Sequence, residues 1–557
     1  MDYFKKNSSK IIFIFTFSIL LHVLVFPLVR IAGDEGIRIH QAILFGQGLV
    51  PVADYSARAP ILIILTDLSL MFFGRNLFAA RLPVLLASAL IAVLIFLLAR
   101  AFCSERAGWY AAAFYVLSPF VLWRESIIKI ESFSIMFTLL ALLSLHYGIT
   151  RHRRFLIFFA GISLGLAYLE RQSALAAMLA FTIYLIWGRY ILMEVLIFWA
   201  GMGVGFLPIF LWIFSHNAVA AGEYWLGLIW QIFNGNAWRQ NVTHARTSFY
   251  LQIRTWGLAF IEGLALEGWL LFSGMILFFI LLIKRYFKYF ERWIISALLI
   301  IVYGALVFHS LHIWFVAPNF RPEVFLLMMI SALLIIISFL QFIFSDNFKF
   351  LEHLTHLPLF LLVWFLILII AYTIWDPGYI REFIPIVAIM SGIAFSQFPF
   401  RDLSLFMKVL FIFGVLSFWI SGGAWFLNPK GEGWYWTQSE MRTLESFIEK
   451  NSAPGEDIFT ANPLPVVLAG RGVFEDVSPF GFKFAPSFEE QFFSYPSPAE
   501  VLKELISRPP RYVVIDKRMT DFVFKFQPPI REFVSNNYRE VNQIGSSKIL
   551  LRKDLAN

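Results

Sequence analysis

Apolar runs close to the ~20 residues needed to cross a bilayer recur along this chain, and that repetition constrains its fold more than any single motif. They fall near 11–29, 82–99, 107–123, 132–149, 155–169, 173–187, 191–214, 256–283, 293–310, 324–344, 358–375, 383–397 and 404–427. With 59% hydrophobic and only 15% charged residues, 557 residues carry more apolar surface than one water-soluble core can hide. The pattern predicts a polytopic α-helical membrane protein of about thirteen transmembrane helices, because a helix satisfies its backbone polar groups internally where lipid offers no partners.

The first run follows a short basic head, Lys5, Lys6 and Lys10. It is long, lacks a small-residue cleavage site and is followed by further spans, so it is expected to be the first transmembrane helix, with the N-terminus cytoplasmic. Alternating spans then put 151–154 (RHRR), 284–292 (KRYFKYFER), Arg100, Arg106 and Arg189 inside, as the positive-inside rule requires. Cations on the expected outer side are nearly all arginine: Arg58, Arg75, Arg124, Arg171, Arg239, Arg246, Arg254, Arg321 and Arg381, with Lys129 the exception. A guanidinium offers a planar fork that matches phosphate, although headgroup contact explains an isolated outer arginine equally well. The net charge of +8 is then a membrane-related feature, and nothing resembles a nucleic-acid stripe.

From about residue 429 the character changes. Ser439 ahead of EMRTLESFIEK and Ser497-Pro498 ahead of AEVLKELIS read as helix starts, while 457–461 (DIFTA), 511–515 (RYVVI) and 547–551 (SKILL) read as strands. Residues 1–428 are therefore expected to form the membrane domain, and 429–557 a small soluble α/β domain outside the cytoplasm. The single cysteine, Cys103, lies on the other expected side, so that domain holds together without a disulfide.

At the outer end of the first span stand adjacent carboxylates, Asp34 and Glu35, within GDEGIRIHQAILFGQGLVPVADYSARAPIL (33–62). An acid pair at a membrane boundary is costly to desolvate and marks a candidate site for chemistry on a membrane-held substrate; the alternative is a solvated loop that begins with two acids.

The order of several segments then carries a resemblance. The acid pair, the turn YSARAP (55–60), RLPVLLASALIAVLIFLLAR, SPFVLWRESIIKIESFSIMFTLLALLSL, GISLGLAYLERQSALAAM and GYIREFIPIVA resemble the membrane glycosyltransferases of the GT-C superfamily, most of all the branch of protein O-mannosyltransferases and lipid A aminoarabinose transferases. The resemblance covers most of 10–400. It implies a transferase that takes a sugar from a polyprenyl phosphate on the outer face, passes it to a lipid, glycan or protein acceptor, and sits in the plasma membrane. It implies Asp34 as the catalytic carboxylate with Glu35 beside it, Glu131 as a second acid, Arg58 and Arg381 as contacts of the donor phosphate, and Tyr55, Glu170 and Arg171 as candidate substrate contacts. A divalent ion shared by Asp34 and Glu131 is left open. Relatives that read Glu-Lys-Pro-Pro in the turn have an acid where this chain has Ala57, and their first proline is Ala59 here; this departs from the aminoarabinose branch and from a metal site resting on that acid.

The residue types suit the chemistry. A base must take the acceptor proton, and cations must stabilise the departing phosphate. Glu170 with Arg171 reads equally as a local ion pair or a donor contact. His309, His312, His353 and His356 lack metal-ligand spacing, Trp225, Trp230, Trp238 and 434–436 suit an aromatic belt, and the sequon at Asn241 carries little weight. A transporter or a non-catalytic glycan- or lipid-binding scaffold are the competing classes. Transporters place charge near mid-membrane, whereas charge here gathers at span ends; a transferase should bring Asp34, Glu131 and Arg58 to one outer cavity under the tail domain.

Overall fold

The computed structural model describes residues 2–51, 53–55, 59–171, 173–187, 192–219, 383–397, 435–474, 498–525 and 527–555, with isolated helical positions at 221–222, 274–275, 277–279, 361, 364 and 412. The expected spans at 293–310 and 324–344, most of 256–283, 358–375 and 404–427, and the basic loop 284–292 lie outside the described residues. So do Arg189, Arg239, Asn241, Arg246, Arg254 and Arg321, the four histidines 309, 312, 353 and 356, and Trp225, Trp230, Trp238 and Trp434.

Among the described residues, four helices are long and apolar enough to cross a membrane: Ser8–Leu28, Leu77–Phe102, Glu131–Thr150 and Leu192–His216. In chain order the helices are α1 (Asp2–Val25), α2 (Gly33–Gly46), α3 (Pro60–Phe73), α4 (Leu77–Phe102), α5 (Glu105–Val116), α6 (Pro119–Arg124), α7 (Glu131–Thr150), α8 (Arg154–Glu170), α9 (Ala174–Trp187), α10 (Leu192–His216) and α11 (Phe383–Ser396). α4, α5, α7, α8, α9 and α11 share one core, while α2 and α3 join a second one with residues of the tail. Ile12, Leu24, Leu196, Leu207 and Phe214 remain exposed on α1 and α10, as side chains facing lipid would be.

Backbone proximity fixes a close crossing between α8 and α10. Gly161 and Gly165 on α8 face Gly201 and Gly205 on α10: a Cβ at Gly161 would stand 2.0 Å from the Phe198 carbonyl oxygen, and one at Gly201 2.1 Å from that of Phe158. Small residues spaced by a helical turn on both partners let the helices meet at this distance.

The apolar run expected as one span over 107–123 is broken. Ser118 caps a new helix by accepting from the Val121 N–H, and Pro119 occupies its first turn, so α5 and α6 are separate. The outer segment is likewise more ordered than a loop. Its first half coils as α2, burying Ile37, Ile39 and Ile43, and its second half as α3.

Between them Ala59 precedes Pro60 with φ 63° and is fully buried. Proline is locked near φ −65°, so position 59 cannot hold a proline in this turn.

The tail is built on a five-stranded sheet. Its strands are β3 (Asp457–Thr460), β4 (Gly472–Val473), β5 (Tyr512–Ile515), β6 (Tyr538–Ile544) and β7 (Ser547–Arg552), in the order β4-β3-β5-β7-β6. β3 runs parallel to β4 and β5, while β7 pairs antiparallel with β5 and β6. Helices Gln438–Asn451, Leu464–Leu468, Pro498–Ser507 and Pro528–Asn537 complete it. The first is capped by Thr437, two residues before the expected Ser439, in a reciprocal capping box with Glu440.

Two features join tail to membrane helices. β1 (Ile31–Ala32), just before α2, pairs antiparallel with β2 (Tyr435–Trp436), Ile31 opposite Trp436. The segments that follow β3 and β5 then lie against α2. Functional loops of parallel strands gather at their carboxyl ends, and here that edge faces the acid pair.

Candidate active site

The first turn of α2 reads Gly33-Asp34-Glu35-Gly36, and the helix sends its two acids into opposite environments. Glu35 is fully buried. Its carboxylate accepts two hydrogen bonds from Arg81, from Nε at 2.7 Å and a terminal nitrogen at 2.8 Å. It also accepts the Ala32 N–H at 2.9 Å and the Ile128 N–H at 3.2 Å. Arg81, equally buried, lies over the Phe26 ring at 5.3 Å and donates to the Arg30 carbonyl. This bidentate pair fixes the start of α2 against α4 and the chain before α7.

Asp34 points the other way. Its side chain is 47% exposed and forms ion pairs with Lys129, in the turn before α7, and with Arg518, in the tail. Lys129 and Arg518 are themselves mostly covered, at 19% and 13% exposure. Burial pushes the Asp34 carboxyl up, but the Lys129 ammonium and the Arg518 guanidinium outweigh it and hold the group well below the usual carboxylate range.

Glycine lets the tail come this close. A Cβ on Gly33 would lie 2.4 Å from Arg518 Nε, and one on Gly36 2.7 Å from the Leu464 amide nitrogen and 2.8 Å from Asn462 Oδ1. Arg518 follows β5, and Asn462 and Leu464 follow β3. Just upstream, Asp516 turns the chain by accepting the Met519 N–H at 2.9 Å. Its other carboxylate oxygen is buried with no hydrogen-bond partner, and burial pushes the carboxyl up to about 6.

The remaining sequence candidates divide. Glu131 opens α7 and pairs with Arg171, at the end of α8, at 2.5 Å; both are largely buried. Arg171 is therefore bound to Glu131 and not to its neighbour. Glu170 instead caps α3, accepting the Ile61 N–H at 2.8 Å and the Leu62 N–H at 3.3 Å. Tyr55 is buried and its hydroxyl donates to the Gln41 carbonyl at 2.9 Å. Arg58 and Arg381 lie outside the described residues. A small cavity opens among Ser134, Thr138, Ser173, Trp364 and Pro385, a turn along α7 from Glu131.

Residues 57–214 match the family model described as dolichyl-phosphate-mannose-protein mannosyltransferase. The crystal structure of ArnT from Cupriavidus metallidurans bound to undecaprenyl phosphate aligns over 98% of this chain and 98% of that one, with TM-score 0.58 and 13% identity. The same protein in the apo state aligns over 98% of both chains, with TM-score 0.56 and 11% identity. The chain has the fold of ArnT, in keeping with its resemblance to the GT-C superfamily.

An Archaeoglobus fulgidus oligosaccharyltransferase in complex with Zn and sulfate aligns less well, with TM-score 0.48 and 14% identity over 96% of this chain and 72% of that one. No curated protein sequence matches. The four long apolar helices are those expected of a multi-pass membrane protein.

Among the described residues no group of three or more His, Cys, Asp or Glu gathers as a metal site. The two acids considered for a shared ion are each engaged by cations, Asp34 by Lys129 and Arg518, Glu131 by Arg171. As paired here, these residues do not fit a metal.

Sequence reasoning missed Arg81, Arg518 and Asp516, and noted Lys129 only as an outer lysine among arginines. That oddity was the one available signal for it.

Proposed function

We propose that this chain is an integral-membrane glycosyltransferase that moves a sugar from a polyprenyl-phosphate donor to a hydroxyl acceptor on the outer face of the membrane. The observation that carries it is Asp34: a half-exposed carboxylate at the seam between the membrane helices and the tail, flanked by two cations. The ArnT structure with undecaprenyl phosphate supports a lipid-phosphate donor for this fold.

Asp34 is the general base. The acceptor O–H gives its proton to the Asp34 carboxylate as the acceptor oxygen bonds to the anomeric carbon. The bond from that carbon to the phosphate oxygen breaks, the electron pair stays with the oxygen, and polyprenyl phosphate leaves with one more negative charge than it had in the donor. Cations around the site stabilise that charge; Arg58 and Arg381 remain candidates for this role. Glu35 acts from inside, holding through Arg81 the helix start that aims Asp34, and Glu131 with Arg171 braces the entry to α7. The tail, 429–557, forms the extracytoplasmic roof of the site, and about thirteen spans form its base. The acceptor is a lipid, a glycan or a protein, and the sugar a hexose or pentose.

The test is release of lipid phosphate from a small panel of polyprenyl-phosphate sugars by membranes holding the wild type or Asp34→Asn. Wild type releases it with one donor at least; Asp34→Asn loses turnover by roughly 10²-fold or more with folded protein preserved, because shape is kept while the base is removed. Near-wild-type turnover by Asp34→Asn would reassign the base.

A further inference from the structure

Two cations reach Asp34 from distant parts of the chain, Lys129 before α7 and Arg518 from the loop after β5. Asp34 and Lys129 belong to the membrane domain, whereas Arg518 is the tail's contribution. The guanidinium lies flat enough on the helix start that a Cβ at Gly33 would touch its Nε and Cζ. Donors that grip a carboxylate grip a phosphate equally well, and arginine does so with a fork matched to either.

We propose that Lys129 and Arg518 form a clamp for the phosphate of the lipid donor, holding the Asp34 carboxylate in the empty site and passing to the phosphate when the donor binds. This rests on the reading of Asp34 as the base. The chemistry gives the exchange its direction. As the acceptor proton moves onto Asp34, that carboxylate loses its negative charge, and the same step adds one to the departing phosphate. Cations able to reach both groups follow the charge from one to the other, which stabilises the state in which it has moved. The clamp also explains how a carboxylate so firmly paired becomes a base: the donor takes its partners away. It further makes the tail a working part of the site, since without Arg518 the clamp is half built.

The experiment is binding of undecaprenyl phosphate to the purified full chain in nanodiscs, with undecaprenol as the neutral control. Lys129→Gln and Arg518→Gln should each weaken undecaprenyl phosphate about tenfold or more, Arg518→Lys should recover part of the loss, and undecaprenol should be unaffected. Gly33→Ala, which displaces the flexible end of Arg518 without removing its charge, should weaken the phosphate in the same sense. Asp34→Asn removes the competitor for the cations and should tighten undecaprenyl phosphate several-fold. A merely structural staple between Arg518 and Asp34 predicts the reverse, because breaking it from either side loosens the same contact; unchanged or weaker binding by Asp34→Asn overturns the clamp.

The two readings fail separately. Tighter phosphate binding with retained turnover keeps the clamp and removes Asp34 as base, whereas lost turnover with unchanged phosphate affinity does the opposite. Inorganic phosphate is the last arm. Displacing the lipid only at far higher concentration assigns the clamp to the lipid headgroup, and equal potency assigns the cations to free phosphate and overturns it.

Discussion

Asp34 and Glu35 are neighbours in the chain, yet one is 47% exposed at its side chain and the other fully enclosed. Helix geometry separates them, since successive residues point about a quarter-turn or more apart. Glu35→Gln leaves the Arg81 guanidinium buried against a neutral partner, and loss of one member of a buried pair costs about 3–5 kcal/mol. The expected outcome is a large fall in folded yield and in unfolding temperature in detergent, in contrast to Asp34→Asn, which keeps the folded yield and, at a half-exposed position, lowers the unfolding temperature less. The pair was legible as an acid pair, but its partners were not: Arg81 is 46 residues from Glu35, and Lys129 and Arg518 are 95 and 484 residues from Asp34. Local pattern carries no record of contacts at such separations.

Asp516 supplies a pH-dependent test at the same scale. Burial pushes its carboxyl from 3.8 up to about 6, which costs the folded state on the order of 3 kcal/mol at neutral pH. Because the folded state binds the proton more tightly, the stability linked to this group is present below about pH 4 and is lost as pH rises through about 6. Asp34 has the opposite sign, and its contribution is lost only as pH falls below about 4. In the window between, Asp516→Asn should flatten the decline, so that the variant's unfolding temperature gains on wild type as pH rises from about 4.5 to 6.5. Parallel curves over that range would show that the carboxyl is not buried in solution.

Among the elements, α2 is decided by its glycines. Gly33 and Gly36 bracket the acids on the face that meets the tail, and at Gly36 the obstacle is backbone, the Leu464 amide nitrogen at 2.7 Å from a Cβ. Backbone cannot rotate away as a side chain does. Gly36→Ala should therefore loosen the tail's seat by about 1–3 kcal/mol, read as faster hydrogen exchange in the β1–β2 pair at Ile31 and Trp436. Gly203→Ala, where a Cβ meets nothing within 4 Å, is the control expected to leave exchange unchanged.

Element existence was readable wherever one periodicity ruled: 132–149 became α7, 155–169 became α8, and RYVVI became β5. It was misread where local chemistry interrupts an apolar run, as at Ser118-Pro119, or where a helix is too short for the bilayer, as with α2 and α3, each of 14 residues. The cap of the helix Gln438–Asn451 shows the same limit, since Thr437 and Ser439 are both good caps and only the reciprocal bond to Glu440 selects the first.

At the scale of the whole molecule, the ion pairs among the described membrane helices separate by end. Asp34 with Lys129 and Arg518, Glu35 with Arg81, and Glu131 with Arg171 gather at the end where α2 meets the tail. At the other end lie Lys10 with Glu105 and Arg154 with Glu194, beside Arg100, Arg106 and the turn 151–153. Excess Lys and Arg in short loops marks the cytoplasmic side, so the acid site and the tail are expected outside. The only cysteine, Cys103, is half-covered beside Ser396, and Cys103→Ser gives a background for single-cysteine labelling. Gln47→Cys, just past α2, and Arg442→Cys, on the first tail helix, are exposed positions that should react with an impermeant maleimide from the same face, while Arg151→Cys reacts only after the membrane is opened. Placement of Gln47 and Arg442 on one face follows from the strand pairing between Ile31–Ala32 and Tyr435–Trp436, which leaves no room for a membrane between them. Reaction of position 442 from the face of position 151 would therefore break that pairing, separate Arg518 from Asp34, and leave the site without its roof.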